Sequence, residues 1–166
     1  MFEVEIQEEP LLDALEHLSR LGSDSSPVMA SIAAVLASHT EANFAAGGIP
    51  TWKAKIDGTA ATLQDTGQLA ASVQAGSSST EAWIGSNKVY AAIHQFGGKT
   101  KPHVIRAKNK KALAFGGRVV KQVNHPGSNI PARPFLPINA NGVLQPDAQI
   151  DVLDVIEAFL NQKIGL

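Results

Sequence analysis

The residues of this chain whose types could support chemistry are five histidines, many serines and threonines, and a run of lysines and arginines. A metal site would need histidines at close spacing, as in HxH or HExxH, and acids beside them. The histidines do not have this spacing, and the chain contains no acid between Glu81 and Asp147. We therefore predict no metal site and interpret as core or surface residues His17, His39, His94, His103 and His125.

Nucleophilic and phosphate-binding motifs are also missing from the sequence. No serine lies in a GxSxG motif, and Asp65 followed by Thr66 is typical of a helix cap rather than a catalytic pair. The stretch 97–100, GGKT, lacks the full GxxxxGK[ST] motif of a phosphate loop. Because the chain contains no cysteine, thiolate catalysis, zinc–thiolate sites and disulfides are excluded. We predict no catalytic residue, no cofactor and no enzymatic activity.

The distribution of charge is the most informative feature of the sequence. Residues 1–65 contain ten acidic and three basic residues, whereas residues 82–146 contain ten basic residues and no acid, although the net charge is only −1. Most of the basic residues fall within residues 98–130, which we call the basic segment. Its cationic residues are predicted to contact a subunit or a partner: Lys99, Lys101, Arg106, Lys108, Lys110, Lys111, Arg118 and Lys121.

Three interpretations of the basic segment are open from sequence alone. It is a solvated hairpin, a surface that neutralises nucleic-acid phosphates, or a contact for an acidic protein surface. We favour the third interpretation because an acidic partner is present in the same chain. If the acidic part of one copy met the basic segment of the next, the contact would be heterologous and could close into a ring. The alternative is that both charged faces meet within one subunit.

Two short stretches flank the basic segment and are predicted to anchor it. In 90–98, YAAIHQFGG, the residues Tyr90, Ile93 and Phe96 recur every three positions, which indicates one apolar helical face. The stretch 130–136, IPARPFL, is predicted to be extended because each proline restricts its own backbone and that of the residue before it. Between these two anchors, the basic segment is predicted to form a projecting β-hairpin arm.

Within the basic segment, apolar runs at 103–107, 112–115 and 119–123 have the composition of strands. The first two flank the polar stretch 108–111, KNKK, which is predicted to be a turn. The expected structure is a long hairpin or a three-stranded meander.

The remainder of the chain predicts an α+β fold, in which a small antiparallel sheet packs with two to three helices in a single domain of residues 1–166. We predict an edge strand, a helix, a second helix that begins after Ser25-Ser26-Pro27, a hairpin and a C-terminal helix. These elements are expected at 2–6, 10–22, 26–44, 72–85 and 150–160. The loop 49–66 has a single large apolar anchor, Trp52. No apolar run approaches the ~20 residues that span a bilayer, and the acidic N-terminus is unlike a signal peptide, so we expect synthesis in a cytoplasm and no membrane partner.

Four motifs, in their order along the chain, resemble those of the phage virion morphogenesis family, the tail-completion or neck proteins of Mu-like and related long-tailed phages. They are G-x-P-x-W, T-G-x-L, Y-A-x-x-H-Q-x-G and P-A-R-P-F. The resemblance covers roughly residues 40–140. It places the motifs on Gly48, Pro50, Trp52; Thr66, Gly67, Leu69; Tyr90, Ala91, His94, Gln95, Gly97; and Pro131, Ala132, Arg133, Pro134, Phe135.

The resemblance implies a small α+β protein without enzymatic activity that acts at the head–tail junction of a virion. It implies a homo-oligomeric ring, commonly of six copies, that contacts a tail tube or tail terminator protein and the head connector or adaptor proteins. The expected location is the virion neck or tail end, and the host cytoplasm during assembly. An alternative is a module that uses the basic segment to contact DNA in the neck channel.

The large residues in these motifs are predicted to be structural anchors. Trp52, Tyr90, Phe96 and Phe135 would hold thin loops to the core by apolar burial. Arg133, between Ala132 and Pro134 on rigid backbone, is expected to bond an acid or backbone carbonyls. We expect His94 and Gln95 to hydrogen-bond the loop that follows them.

Overall fold

A computed structural model describes residues 24–108 and 111–164, together with Glu9, Pro10, Asp13, Glu16 and Arg20; for Phe115 and Ile164 it describes the backbone alone. Those five earlier residues are helical and exposed, as the sequence predicts for the stretch that begins at Pro10. The edge strand predicted at 2–6 and the leucines of this first helix lie outside the described residues. So does Lys110 of the basic segment.

The described chain folds as α+β, as predicted. Its helices are α1 (Ser26–Ala46), α2 (Ala91–Phe96) and α3 (Pro146–Ile164), with a single 3₁₀ turn at Ala70–Ser72. Its strands are β1 (Val73–Ser77), β2 (Ala82–Ser86), β3 (Gly98–Lys99), β4 (His103–Arg106), β5 (Leu113–Phe115), β6 (Arg118–Val120), β7 (Gln122–His125) and β8 (Asn129–Ile130).

The long helix α1 begins and ends where local chemistry predicts. Ser25 is its N-cap and proline occupies its first turn, where a missing N–H costs no hydrogen bond. At the other end Gly47 adopts a left-handed conformation (φ 69°), and its N–H donates to the Asn43 carbonyl. The helix packs against α3 and against both strands of the β1–β2 hairpin. His39 of α1 also contacts Asp151 of α3, with 2.7 Å between Nε2 and Oδ2.

Antiparallel pairing is distributed over two-stranded sheets rather than concentrated in the single small sheet that we predicted. Within the described residues, β1 pairs with β2, β3 with β8, β4 with β7, and β5 with β6. The last three pairs are nested along the chain. We predicted that the runs 103–107 and 112–115 pair around a turn at 108–111. This prediction is wrong, because β4 pairs with β7.

The reason for this nested pairing is the two-residue turn between β5 and β6. Gly116 and Gly117 both have positive φ, 53° and 74°, which matches the conformation that short hairpin turns require. The turn sets the register of β5 against β6. Farther along, β4 pairs with β7 in a different register, in which His103 lies opposite His125 and the two rings stack 5.1 Å apart.

The apolar core consists of two clusters. The first lies between α1 and α3 and contains Val28, Met29, Ile32, Leu36, Leu144, Val152 and Ile156. The second gathers Phe44, Trp52, Ala61, Leu69, Ala91, Phe135 and Leu136. Ile84 and Ile138 pack against both clusters and so connect them. No described residue of the basic segment is buried.

Candidate functional site

The side chain of Gln95 binds the backbone of 135–138, the second of the two anchoring stretches and its continuation. Its Oε1 accepts hydrogen bonds from the N–H groups of Phe135 and Leu136, both at 3.0 Å. Its Nε2 donates to the carbonyls of Leu136 at 3.4 Å and of Ile138 at 2.6 Å. The side chain is only 1% exposed, so these bonds satisfy polar groups that water cannot reach. The Gln95 side chain therefore supplies hydrogen bonds that a neighbouring strand would otherwise give to this extended stretch.

This arrangement corrects the predicted face of α2. Ala91 and Gln95 are the buried residues of the helix, whereas Tyr90 is 38% exposed and Phe96 is half-buried. Tyr90 was expected to be a buried anchor, but it occupies the N-cap position of α2. Because the helix turns Gln95 toward the core, the Tyr90 side chain faces solvent. Gln95 also does not bond the loop that follows it; its partners lie forty or more residues away.

Trp52 fastens the loop that follows α1 to the same extended stretch. Its ring is buried, packs edge-on against Phe44 at 6.1 Å between ring centroids, and donates from Nε1 to the Pro134 carbonyl at 2.8 Å. Phe44 in turn lies 5.5 Å from the ring of Phe135. Trp52 and Phe135 are thus buried where the sequence predicts structural anchors.

Arg133 joins three separate parts of the chain. Its backbone N–H donates to the His94 carbonyl at 2.7 Å. Its side chain donates from Nε to the Lys53 carbonyl at 2.9 Å and from Nη2 to the Ala54 carbonyl at 3.2 Å. Backbone carbonyls are one of the two kinds of partner that we expected. Within the described residues no carboxylate lies at ion-pair distance from the guanidinium.

His94 lies beside Arg133 on the same wall. Its ring meets that of Tyr90 edge-on at 5.9 Å. Burial, and then the positive charge of Arg133, lower the pKa of His94 below its ordinary value. Its Nδ1 is buried and has no hydrogen-bond partner among the described residues. Nδ1 therefore does not make the expected hydrogen bond to the following loop.

These residues border an open cavity of about 600 Å³. Its wall contains the cationic side chains of Lys55 and Arg133, one acid, Asp65, and apolar surface from two leucines and Tyr90. The full lining is Lys55, Ala61, Thr62, Leu63, Asp65, Thr66, Leu69, Tyr90, His94 and Arg133. The cavity therefore combines an excess of positive charge with an apolar wall.

The base of the basic segment is held closely to the body by backbone contacts. Gly98 pairs with Ile130, and the Thr100 N–H donates to the Ser128 carbonyl at 2.9 Å. Gly97 has φ 71°, and a β-carbon there would lie 2.7 Å from the nitrogen of Ala132. Only glycine fits this close approach, which accounts for a glycine after α2.

The cationic side chains of the basic segment face solvent. Arg106 donates from Nε to Gln122 at 3.3 Å, and within the part of the chain that the structure describes none of these side chains forms an ion pair. The exposed ones are Lys99, Lys101, Arg106, Lys108, Lys111, Arg118 and Lys121. Their arrangement leaves the positive charge available to a partner.

Residues 24–108 and 111–164 provide no group of three or more histidines, aspartates and glutamates that could hold a metal ion. Over the same ranges, no helix is both long and apolar enough to cross a membrane.

Comparison with known proteins identifies the relatives of this chain. Residues 6–161 match the model of the phage virion morphogenesis family. The chain belongs to the phage virion morphogenesis family. It is also 36% identical over 165 residues to the "Mu-like prophage FluMu G protein 2" of Haemophilus influenzae, and the match covers 99% of each chain. No solved structure matches it.

Membership of the virion morphogenesis family confirms the resemblance that the four motifs indicated, and with it a role in building a phage virion. The structure shows what several motif residues do: Trp52, Gln95, Arg133 and Phe135 converge on a single junction below the basic segment.

Sequence reasoning missed one part of this junction. Asn43, fully buried on α1, exchanges two amide hydrogen bonds with Gln145, at 3.1 and 3.2 Å, and also donates to the Phe135 carbonyl. The available signal was the spacing of Leu36, Thr40 and Asn43, which places the asparagine on the apolar face of its helix.

Proposed function

We propose that this protein is a non-enzymatic structural subunit of the head–tail junction, which forms a ring that completes the tail and joins it to the head. The observation that carries the proposal is the exposed positive charge of the basic segment, which forms no ion pair among the described residues, in a member of a virion morphogenesis family. Such a segment, with its positive charge exposed, suits contact with an acidic surface of another protein.

The proposed ring contact joins the acidic part of one copy to the basic segment of the next. Residues 1–65 contain ten acids and the basic segment contains none. Opposite charges at such a contact orient the partners and raise the association rate more than they raise affinity. The contact uses different surfaces on the two copies, so it closes into a ring when the rotation between copies permits. The further partners in this proposal are a tail tube or tail terminator protein and the head connector or adaptor proteins.

The role is tested by deleting the gene from a phage or prophage that encodes this chain. We expect filled heads and tails to accumulate separately in electron micrographs of the lysate, and plasmid-borne wild-type protein to restore joined particles. A variant with Lys101→Glu, Lys108→Glu and Arg118→Glu should not restore them. The matched control, Lys101→Arg, Lys108→Arg and Arg118→Lys, keeps the charge and should. Normal joining without the protein would refute the role.

The ring is tested separately by light scattering after gel filtration. A closed oligomer that dissociates as salt rises would support contacts between the acidic and basic parts. Salt should weaken these contacts because exposed charges are screened within about 10 Å at 0.1 M salt.

A second candidate is a DNA-contacting module of the neck channel, favoured by the same exposed lysines and arginines. DNA binding by these side chains should weaken steeply with salt and require no tail protein. A filter-binding measurement with duplex DNA at several salt concentrations separates the two functions.

A further inference from the structure

Packing alone does not explain why a positive charge, that of Arg133, is nearly buried on the wall of the cavity. Arg133 is only 9% exposed, yet no carboxylate among the described residues lies within ion-pair distance of its guanidinium. Two N–H groups donate to carbonyls, and a guanidinium carries more donors than those. A nearly buried charge without a counter-ion is costly, and buried charges in proteins are usually paired.

The surroundings of Arg133 select a negatively charged ligand. Lys55 lies on the same wall, and Asp65 is the acid among the lining residues, so positive charge is in excess. A guanidinium on rigid backbone between Ala132 and Pro134 suits the planar, forked geometry of a carboxylate. A cavity of about 600 Å³ has room for a peptide side chain. Apolar surface from Leu63, Leu69 and Tyr90 completes the wall.

We propose that this cavity is a docking site for the acidic N-terminal segment of a second copy, with Arg133 and Lys55 binding its carboxylates. The inference rests on the proposed function and extends it: it names the acidic element that a neighbouring copy would supply in the ring, and it adds Lys55 and Arg133, which lie outside the basic segment, to the surface that receives this element. Residues 2–9, FEVEIQEE, carry four acids and no base. Their apolar and acidic residues alternate over 2–6, a pattern that would place the carboxylates of Glu3 and Glu5 on one face if the segment bound in an extended conformation.

Disulfide trapping tests the docking because the natural chain has no cysteine. Two single variants are mixed: Glu5→Cys, and Thr62→Cys, which lies exposed in the cavity lining. A covalent dimer can then form only between copies. We expect it to form at least about five-fold faster than in a mixture of Glu5→Cys with Ser79→Cys, an exposed position away from the cavity. Equal rates at the two positions would overturn the proposal.

Charge variants in the Thr62→Cys copy separate docking from simple proximity. Lys55→Gln should slow the trapping, whereas Lys53→Gln should not, since Lys53 is exposed but does not line the cavity. Asp65→Asn should speed it by removing the acid that repels the incoming carboxylates. Equal effects of the two lysine variants would overturn the proposal. So would a double variant, Glu5→Cys with Thr62→Cys, that forms its disulfide only within one copy.

A peptide measurement distinguishes failure of this docking from failure of the ring. A labelled peptide of residues 2–9 should bind the full-length protein in fluorescence anisotropy at low salt, with the protein dilute enough to be monomeric, and its Glu→Gln analogue should bind at least about five-fold more weakly. If the protein forms a ring but neither trapping nor peptide binding depends on Lys55, the docking is wrong and the ring stands. If the peptide binds but neither ring nor head–tail joining requires the protein, the proposed function is wrong and the cavity still binds acidic peptide.

Discussion

Gln95 and Leu136 are joined by both ends of the glutamine side chain: Oε1 accepts from the Leu136 N–H at 3.0 Å, and Nε2 lies 3.4 Å from the Leu136 carbonyl. With the further bonds to Phe135 and Ile138, one side chain supplies the hydrogen bonds that a neighbouring strand would otherwise provide. The anchoring stretch after the basic segment therefore depends on a polar residue of a short helix rather than on a sheet.

Replacing Gln95 by leucine should strongly destabilise the fold. Leucine is similar in size to glutamine but cannot form hydrogen bonds, so the substitution leaves buried backbone N–H and carbonyl groups without partners. Each unsatisfied group costs about 1–3 kcal/mol. We expect the free energy of unfolding in urea to fall by about 3–5 kcal/mol. Gln74→Leu, at an exposed position of β1, is the control and should change it by less than about 0.5 kcal/mol. Similar effects of the two substitutions would contradict the role of Gln95.

Replacing Arg133 by lysine should not rescue the loss caused by alanine. Only the planar guanidinium reaches the Lys53 and Ala54 carbonyls together. We expect both variants to lower the free energy of unfolding by about 1–3 kcal/mol, measured by urea denaturation. Arg106→Ala, which removes an exposed side chain from β4, should have little effect. Unchanged stability and unchanged ring formation in Arg133→Ala would show that these bonds are dispensable.

Gly48→Ala should displace Trp52. A β-carbon at Gly48 would lie 2.3 Å from the indole ring, and the backbone there has φ 99°. Gly58 is the matched control, because its φ is 81° but a β-carbon would meet nothing within 4 Å. We expect Gly48→Ala to destabilise by about 2 kcal/mol more than Gly58→Ala. Its tryptophan fluorescence should also shift to the red. Equal losses in the two variants would mean that the indole moves aside without cost.

The stability of the fold should decrease below the ordinary pKa of histidine because of His94. Burial and Arg133 lower its pKa in the folded state, so between the folded and unfolded pKa values the unfolded chain binds more protons. The unfolding free energy should therefore fall as pH decreases through about 6.5. His94→Gln should flatten this dependence, measured by urea denaturation from pH 7.5 to 5.5. Tyr90→Phe keeps the ring contact with His94 and should retain the slope.

Local sequence chemistry predicted the elements whose ends and packing are set by nearby residues. The serine–proline start and glycine end of α1 are satisfied within a few residues of each other, and the β1–β2 hairpin follows from short strands around a small-residue turn. The family motifs also identified Trp52 and Phe135 as buried anchors, because large apolar residues in thin loops have few other ways to gain stability.

What the sequence could not predict depends on partners far along the chain. The pattern of α2 indicated Tyr90 as an inward residue, but the hydrogen bonds of Gln95 to 135–138 decide which face is buried. The chain reverses at the glycine turn at 116–117, not at the lysine-rich stretch that looks more like a turn, and β4 pairs with β7. The cavity likewise requires Lys55, Asp65 and Arg133 to be brought together by folding.

Ile84 and Ile138 have a mechanical consequence because they pack against both apolar clusters. Separating the two clusters would expose both isoleucine side chains. We therefore expect the part of the protein that contains the clusters to unfold cooperatively, as one unit. The basic segment contributes no buried residue among those described and joins the body through backbone pairing at its base, so it lies outside that packing unit. The two isoleucines thus make the body a single packing unit, and the segment that carries most of the positive charge lies outside it.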